Sequence, residues 1–100
     1  MKNYWYKEKI EEPLAGIVRY IRNNGVNTEC SCGHEMYIQC QYFLDGSIKH
    51  IHELVWNYLD SKGLDINFEI SVLHKVIDGR HYTSLEIKLP TDEKFKEGLN

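Results

Sequence analysis

The sequence predicts one α+β domain over residues 1–100, a four-stranded antiparallel sheet with two helices on one of its faces. Three observations carry this reading. Two stretches repeat apolar residues with the 3.6-residue period of a helix and close on a glycine; one strongly alternating hairpin surrounds Asp78-Gly79; and a second alternating pair surrounds Gly33-His34. With 100 residues, 42% of them apolar, the chain has material for one compact core and not for two.

The first helix is the most plainly punctuated. Glu11-Glu12-Pro13 places acids and a proline at a helix start, Leu14, Ile17, Val18 and Ile21 recur on one face, and Asn24-Gly25 supplies a left-handed stop, which predicts a helix over about 12–24. The second begins after the turn Asp45-Gly46, where Ser47 can cap; Ile48, Ile51, Val55 and Leu59 form its buried stripe, widened by Leu54 and Tyr58, and Gly63 ends it.

Beyond Gly63 the period falls from 3.6 to 2. Ile66, Phe68, Ile70 and Val72 alternate with polar residues, and Thr83, Leu85, Ile87 and Leu89 do the same, with Asp78-Gly79 as a two-residue turn between them. The turn sets Ile77 opposite Arg80 and therefore pairs Val72 with Leu85, Ile70 with Ile87 and Phe68 with Leu89, all on one face. The other face pairs Glu69 with Lys88, an attraction of roughly 0.2–1 kcal/mol.

Between the helices, Val26, Thr28, Cys30 and Cys32 form one alternating set and Met36, Ile38, Cys40 and Tyr42 another. A loop of about three residues on Gly33-His34 places both sets on the buried face. The resulting order, α-β-β-α-β-β, is what a ferredoxin-like split βαβ fold becomes when its first strand is moved to the end of the chain. Its open face then carries Glu29, Ser31, Tyr37, Gln39, Gln41, Phe43, Glu69, Tyr82, Glu86 and Lys88. The alternative architecture is a three-stranded sheet with an irregular cysteine-bearing loop. Residues 1–10 read as an aromatic arm holding Tyr4, Trp5 and Tyr6, and residues 90–100 as a charged tail, a short frayed helix without chemistry.

The sharpest local feature is Cys30-Ser31-Cys32-Gly33-His34 with Cys40 further on. Alternate strand residues share a face, so Cys30, Cys32, His34 and Cys40 offer a Cys₃His set for zinc, although a one-residue spacing between cysteines departs from the usual zinc knuckle. The structural reading of Cys30 and Cys40 is simpler, as small core residues on their strands. Cys32 is the weak candidate for a catalytic nucleophile, its thiol activated by His34 or His52. His52, His74 and His81 all take the buried side of their elements and form a second candidate cluster, a polar pocket beneath the helices.

Tyr37, Phe43 and Tyr82 fall on the open face and mark it as a surface for self-association as a homodimer. Base stacking on such aromatics is disfavoured: no Lys/Arg stripe accompanies them, and the net charge is −3. There is no phosphate-binding glycine loop, no hydrolase or zinc-protease motif, no apolar export leader and no membrane-length apolar run. Three cysteines, odd in number and close together, fit a reducing cytoplasm better than a secreted disulfide scaffold.

Function therefore divides into three expectations. The first is a non-enzymatic binding module that holds a small ligand or metal ion near the Cys32-Gly33-His34 turn. The second is a thiol-dependent enzyme, and the third a structural protein that associates with itself through its sheet.

Overall fold

A computed structural model of the chain describes residues 12–41 and 47–100. Within them the order is α1 (Glu12–Asn23), β1 (Thr28–Cys32), β2 (Tyr37–Gln41), α2 (Ser47–Ser61), β3 (Glu69–Ile77), β4 (Arg80–Lys88) and α3 (Glu93–Leu99). The strands make one antiparallel sheet in the order β1-β2-β4-β3, which is the expected α+β architecture and is consistent with a permuted ferredoxin-like arrangement.

Both predicted helices form, and their stripes are buried except at Ile48, which was expected to be buried and is 45% exposed on the first turn of α2. Leu14, Ile17, Val18 and Ile21 of α1 and Ile51, Leu54, Val55 and Leu59 of α2 are buried. Each helix ends in the same hydrogen-bonded motif around a left-handed glycine. Val26 N–H donates to Ile21 O and Gly25 N–H to Arg22 O at one end; Leu64 N–H donates to Leu59 O and Gly63 N–H to Asp60 O at the other. The two helices run antiparallel, with the Tyr20 and Tyr58 rings 5.4 Å apart between them. Gly16 makes this approach workable, because a Cβ there would overlap the Tyr58 hydroxyl.

The core lies between this helix layer and one face of the sheet, where Met36, Ile38, Cys40, Leu85 and Ile87 are wholly buried. Burial of each such aliphatic side chain contributes roughly 1.5–3 kcal/mol. Residues 93–99, expected to fray, dock instead: Phe95 N–H donates to the Asp92 side chain at the helix start, and Phe95 and Leu99 enter the same core. The sequence signal was present as Phe95 and Leu99 four residues apart.

The last hairpin has the expected register throughout. Ile77 faces Arg80, Val72 faces Leu85, Ile70 faces Ile87 and Glu69 faces Lys88. Asp78 and Gly79 both take positive φ, 53° and 76°, which is the turn that matches the twist of adjoining strands. Phe68 and Leu89 lie just outside the two strands.

The first hairpin departs from expectation. Its loop is four residues long, Gly33 to Met36, so that Cys32 faces Tyr37 and Cys30 faces Gln39. The register then shifts at Glu29, and Thr28 faces Cys40. This bulge is one extra residue on β1, and one residue is enough to move a side chain to the opposite face. Cys30 and Cys32 therefore stand on the open face, beside Gln39 and Tyr37, while Ser31 turns toward the helices opposite Ile38.

Candidate functional site

Three groups of residues carry the chemistry suggested by the sequence, and the sheet separates them. Cys30, exposed on β1, donates its thiol hydrogen to Gln39 Oε1 at 3.1 Å. Its pKa is raised, first by burial and then by the carboxylates of Glu29 and Glu86, so the thiol form is favoured. Cys40 is buried on β2 among aliphatic side chains, and that burial, with smaller contributions from Glu29 and Cys30, pushes its thiol up to about 12. Cys40 is the core residue expected of it. Cys30 is not, because the bulge at Glu29 carries it to the other side.

The Cys₃His set of Cys30, Cys32, His34 and Cys40 is thereby corrected. Cys30 and Cys32 face away from the helices and Cys40 faces them, with the sheet between. Among the described residues no three His, Cys, Asp or Glu side chains come together so as to hold a metal ion. The turn is held by one internal and one external bond: Glu35 N–H donates to Cys32 Sγ at 3.4 Å, and Met36 O accepts from Leu89 N–H beyond β4. His34 is exposed at the tip.

His52 is remote from all of these. It sits on α2 with its ring stacked on Trp56 at 5.4 Å and edge-on to Phe68 at 5.5 Å, next to the β3 edge. Cys32 is on β1, at the opposite edge of the sheet. His52 therefore cannot act as the base for Cys32, and the three-histidine pocket reduces to two members. His74 and His81, on neighbouring strands, approach within 3.3 Å, and both are exposed instead of enclosed beneath the helices.

Of the proposed contact aromatics, Tyr37 is half-buried and Tyr82 is 50% exposed on the open face. Tyr82 borders a shallow groove with Gln39, Gln41, Leu73, Lys75 and Ser84. Phe43, like Tyr4, Trp5 and Tyr6 of the aromatic arm and the Asp45-Gly46 turn, lies outside the described residues.

One surface was missed by sequence reasoning. Strands β3 and β4 are each nine residues long, whereas β2 has five and ends at Gln41, opposite Ser84. The second hairpin therefore runs past its neighbour, and Val76 and Ile77 on the overhang remain 57% and 54% exposed; Val72, opposite Leu85 on the outer strand, is 47% exposed. The unequal lengths of the alternating runs were the available signal. Among the described residues the outer side of β3 is an edge of the sheet. Since a two-residue turn makes Ile77 and Arg80 a hydrogen-bonded pair, the N–H and C=O groups of Ile70, Val72, His74 and Val76 point outward from that edge.

Among the described residues no helix is long and apolar enough to cross a membrane. No family model matches the sequence, and no curated protein or solved structure shows significant similarity to the chain.

Proposed function

We propose that this chain is a non-enzymatic interaction module that pairs with a second copy of itself through the outer edge of β3, joining two sheets into one. The observation that carries the reading is that edge: a nine-residue strand whose backbone groups at Ile70, Val72, His74 and Val76 point outward, with the Val72 side chain exposed at its middle. An unblocked strand edge is a template for another strand, and an antiparallel edge is complementary to itself about a two-fold axis.

Charge selects the register. Centring the axis on Val72 sets Val72 against Val72, Ile70 against His74 and Ser71 against Leu73. It also sets Glu69 opposite Lys75 of the second copy, twice by symmetry, and these are the charged side chains of β3 on the open face. Shifting the axis to Leu73 loses both charge pairs, and shifting it to His74 places two imidazoles face to face. The same edge presents outward bonding groups at Ile70, Val72 and His74, as this register needs.

The reading takes precedence over a ligand held at the Cys32-Gly33-His34 turn, because Cys32 Sγ already accepts from Glu35 N–H and the Met36 carbonyl is tied to Leu89 N–H at the end of β4. It also takes precedence over a thiol enzyme, since His52, one of the two bases considered for Cys32, stands at the opposite edge of the sheet.

Sedimentation equilibrium of the full chain tests it. The expected species is a dimer. Lys75→Glu sets carboxylates opposite Glu69 of the second copy and raises Kd at least about tenfold, and Glu69→Lys combined with Lys75→Glu restores association. A monomer at every concentration overturns the proposal, as does a dimer indifferent to Lys75→Glu, which would move the contact to another face.

A further inference from the structure

His74 and His81 occupy neighbouring strands and both point to the helix side of the sheet, His74 opposite Thr83 and His81 opposite Val76. This diagonal placement brings His74 Nε2 to 3.3 Å from His81 Nδ1. The other ring nitrogen of His74, Nδ1, lies 2.9 Å from Thr83 Oγ1. A neutral imidazole has one N–H and one lone pair. When His74 Nδ1–H donates to Thr83, Nε2 keeps the lone pair and presents it toward His81. The contact with Thr83 holds the His74 ring in place, in the way that outer groups orient metal-bound histidines.

We infer that His74 Nε2 and His81 Nδ1 form a two-imidazole chelate for a divalent transition-metal ion, with zinc as the natural occupant and water completing its shell. Zinc lies about 2.0–2.1 Å from an imidazole nitrogen. Two such bonds to nitrogens 3.3 Å apart enclose about 104–111°, a range that spans the tetrahedral angle of about 109°. In the metal-free pair, one proton occupies the space between the two nitrogens; a small rotation of the exposed rings opens it to an ion bound by both.

The surroundings agree with this use. Both rings are exposed, so two coordination positions face solvent, where water can fill them without a third protein ligand. Neutral imidazole selects zinc, copper or nickel over calcium or magnesium, which take oxygen. Lys75 and Arg80 follow the opposite parity of their strands and point to the open face, so neither ammonium nor guanidinium enters the chelate. The turn at Asp78-Gly79 fixes the register of the two strands and holds the ligands on one rigid element.

The site is independent of the proposed self-pairing. About an axis through Val72, each copy keeps both of its histidines on its own hairpin, so one metal ion binds per chain in the monomer and in the dimer alike.

Calorimetric titration of zinc chloride into the full chain is the test, performed in the Cys30→Ser/Cys32→Ser background so that thiolates do not compete. One zinc per chain is expected. His74→Gln and His81→Gln each lower the affinity more than tenfold, and Thr83→Val lowers it about tenfold by freeing the His74 ring. Binding weakens as pH falls, because protons take the same lone pairs. In imidazole NMR spectra, zinc shifts the resonances of His74 and His81 and leaves those of His34, His50 and His52 in place.

Absence of zinc binding in the serine background overturns the inference. So does binding that survives either histidine substitution, or a shift centred on another histidine. The Lys75→Glu monomer separates the two proposals: retained zinc supports the single-chain chelate whatever becomes of the dimer, and lost zinc overturns it in favour of a site made at the interface.

Discussion

The two hairpins of this sheet are held in opposite ways. The first, β1–β2, is short, bulged at Glu29 and closed by a four-residue turn whose last member, Met36, takes a positive φ of 57° while its side chain is wholly buried. The second, β3–β4, has nine paired positions, a two-residue turn suited to its twist, and apolar side chains that stay in water at its far end. The first hairpin is pinned by the core at its turn, whereas the second enters the core only at its base, through Leu85 and Ile87, and its far end is held by its own ladder. The difference governs what each can do: the segment with the suggestive cysteines is absorbed into structure, and the segment without a motif keeps its edge and its histidines available.

Truncating the pin should produce the largest effect. Met36→Ala removes a fully buried side chain from the turn of the first hairpin and should cost about 2–5 kcal/mol, read as a lower urea midpoint at unchanged slope. A loss below about 1 kcal/mol would mean that the turn holds itself, and the contrast between the hairpins would fail at its clearest point.

The second test uses the buried thiol of the same hairpin. Cys40 is pushed up to about 12 in the folded chain, against an ordinary value of 9.0. The folded state therefore keeps a proton that the unfolded state releases, so this contribution to stability is complete below about pH 9 and is lost as pH rises toward 12. Urea unfolding between these limits should show a slope of up to about 1.4 kcal/mol per pH unit. Cys40→Val should remove most of that slope, leaving the smaller part due to Cys30, Tyr37 and Tyr58, whose values are also raised. An unchanged slope in Cys40→Val would place the alkaline sensitivity elsewhere.

The hairpins also differ in how far the sequence foretells them. Asp78-Gly79 fixes the second to the residue, because a two-residue turn permits one register and the alternation of Ile70, Val72, Leu85 and Ile87 agrees with it. The first has no such anchor. Period-2 reasoning places Cys30 and Cys32 with Cys40, and one extra residue at Glu29, together with a four-residue loop in place of three, reverses that placement. A bulge leaves no compositional mark in Thr28-Glu29-Cys30. The candidate metal set failed for this reason, and the cluster of His52, His74 and His81 failed for another. Strand parity set two of its members side by side, but the third stacks on Trp56, four residues further along α2, and meets Phe68; the first contact was legible in the helical spacing and the second was not. The protruding end of the second hairpin was legible only as a mismatch in strand length.

If the ladder and turn hold the second hairpin, its turn glycine should matter more than its exposed apolar residues. Gly79 has a φ of 76° with nothing near the position of an added Cβ, so Gly79→Ala tests conformation alone. The expected cost is about 1–2 kcal/mol, the penalty of a left-handed conformation for a residue with a side chain. Amide exchange should show the loss first at Ile77 and Arg80, the pair that flanks the turn. Fraying confined to β1 and β2 instead would couple the hairpins and erase the distinction.

The smallest effect should fall at Val76. The side chain is 57% exposed on the helix side of the protruding end, opposite His81, and so contributes little to the core. Val76→Ala loses part of a strand preference and no packed volume, so it should cost no more than about 1 kcal/mol at protein concentrations far below the Kd of the proposed pairing. Raising the protein concentration supplies the contrast. With the pairing axis on Val72, Val76 lies beyond the paired segment, so the substitution should leave Kd within a few-fold of the parent, whereas Val72→Lys, on the axis itself, sets two ammonium groups together and should abolish association. A large loss of monomer stability at Val76 would mean that the far end of the second hairpin is packed like the first. In that case exposure would no longer separate the segment that builds the fold from the one available to meet other molecules.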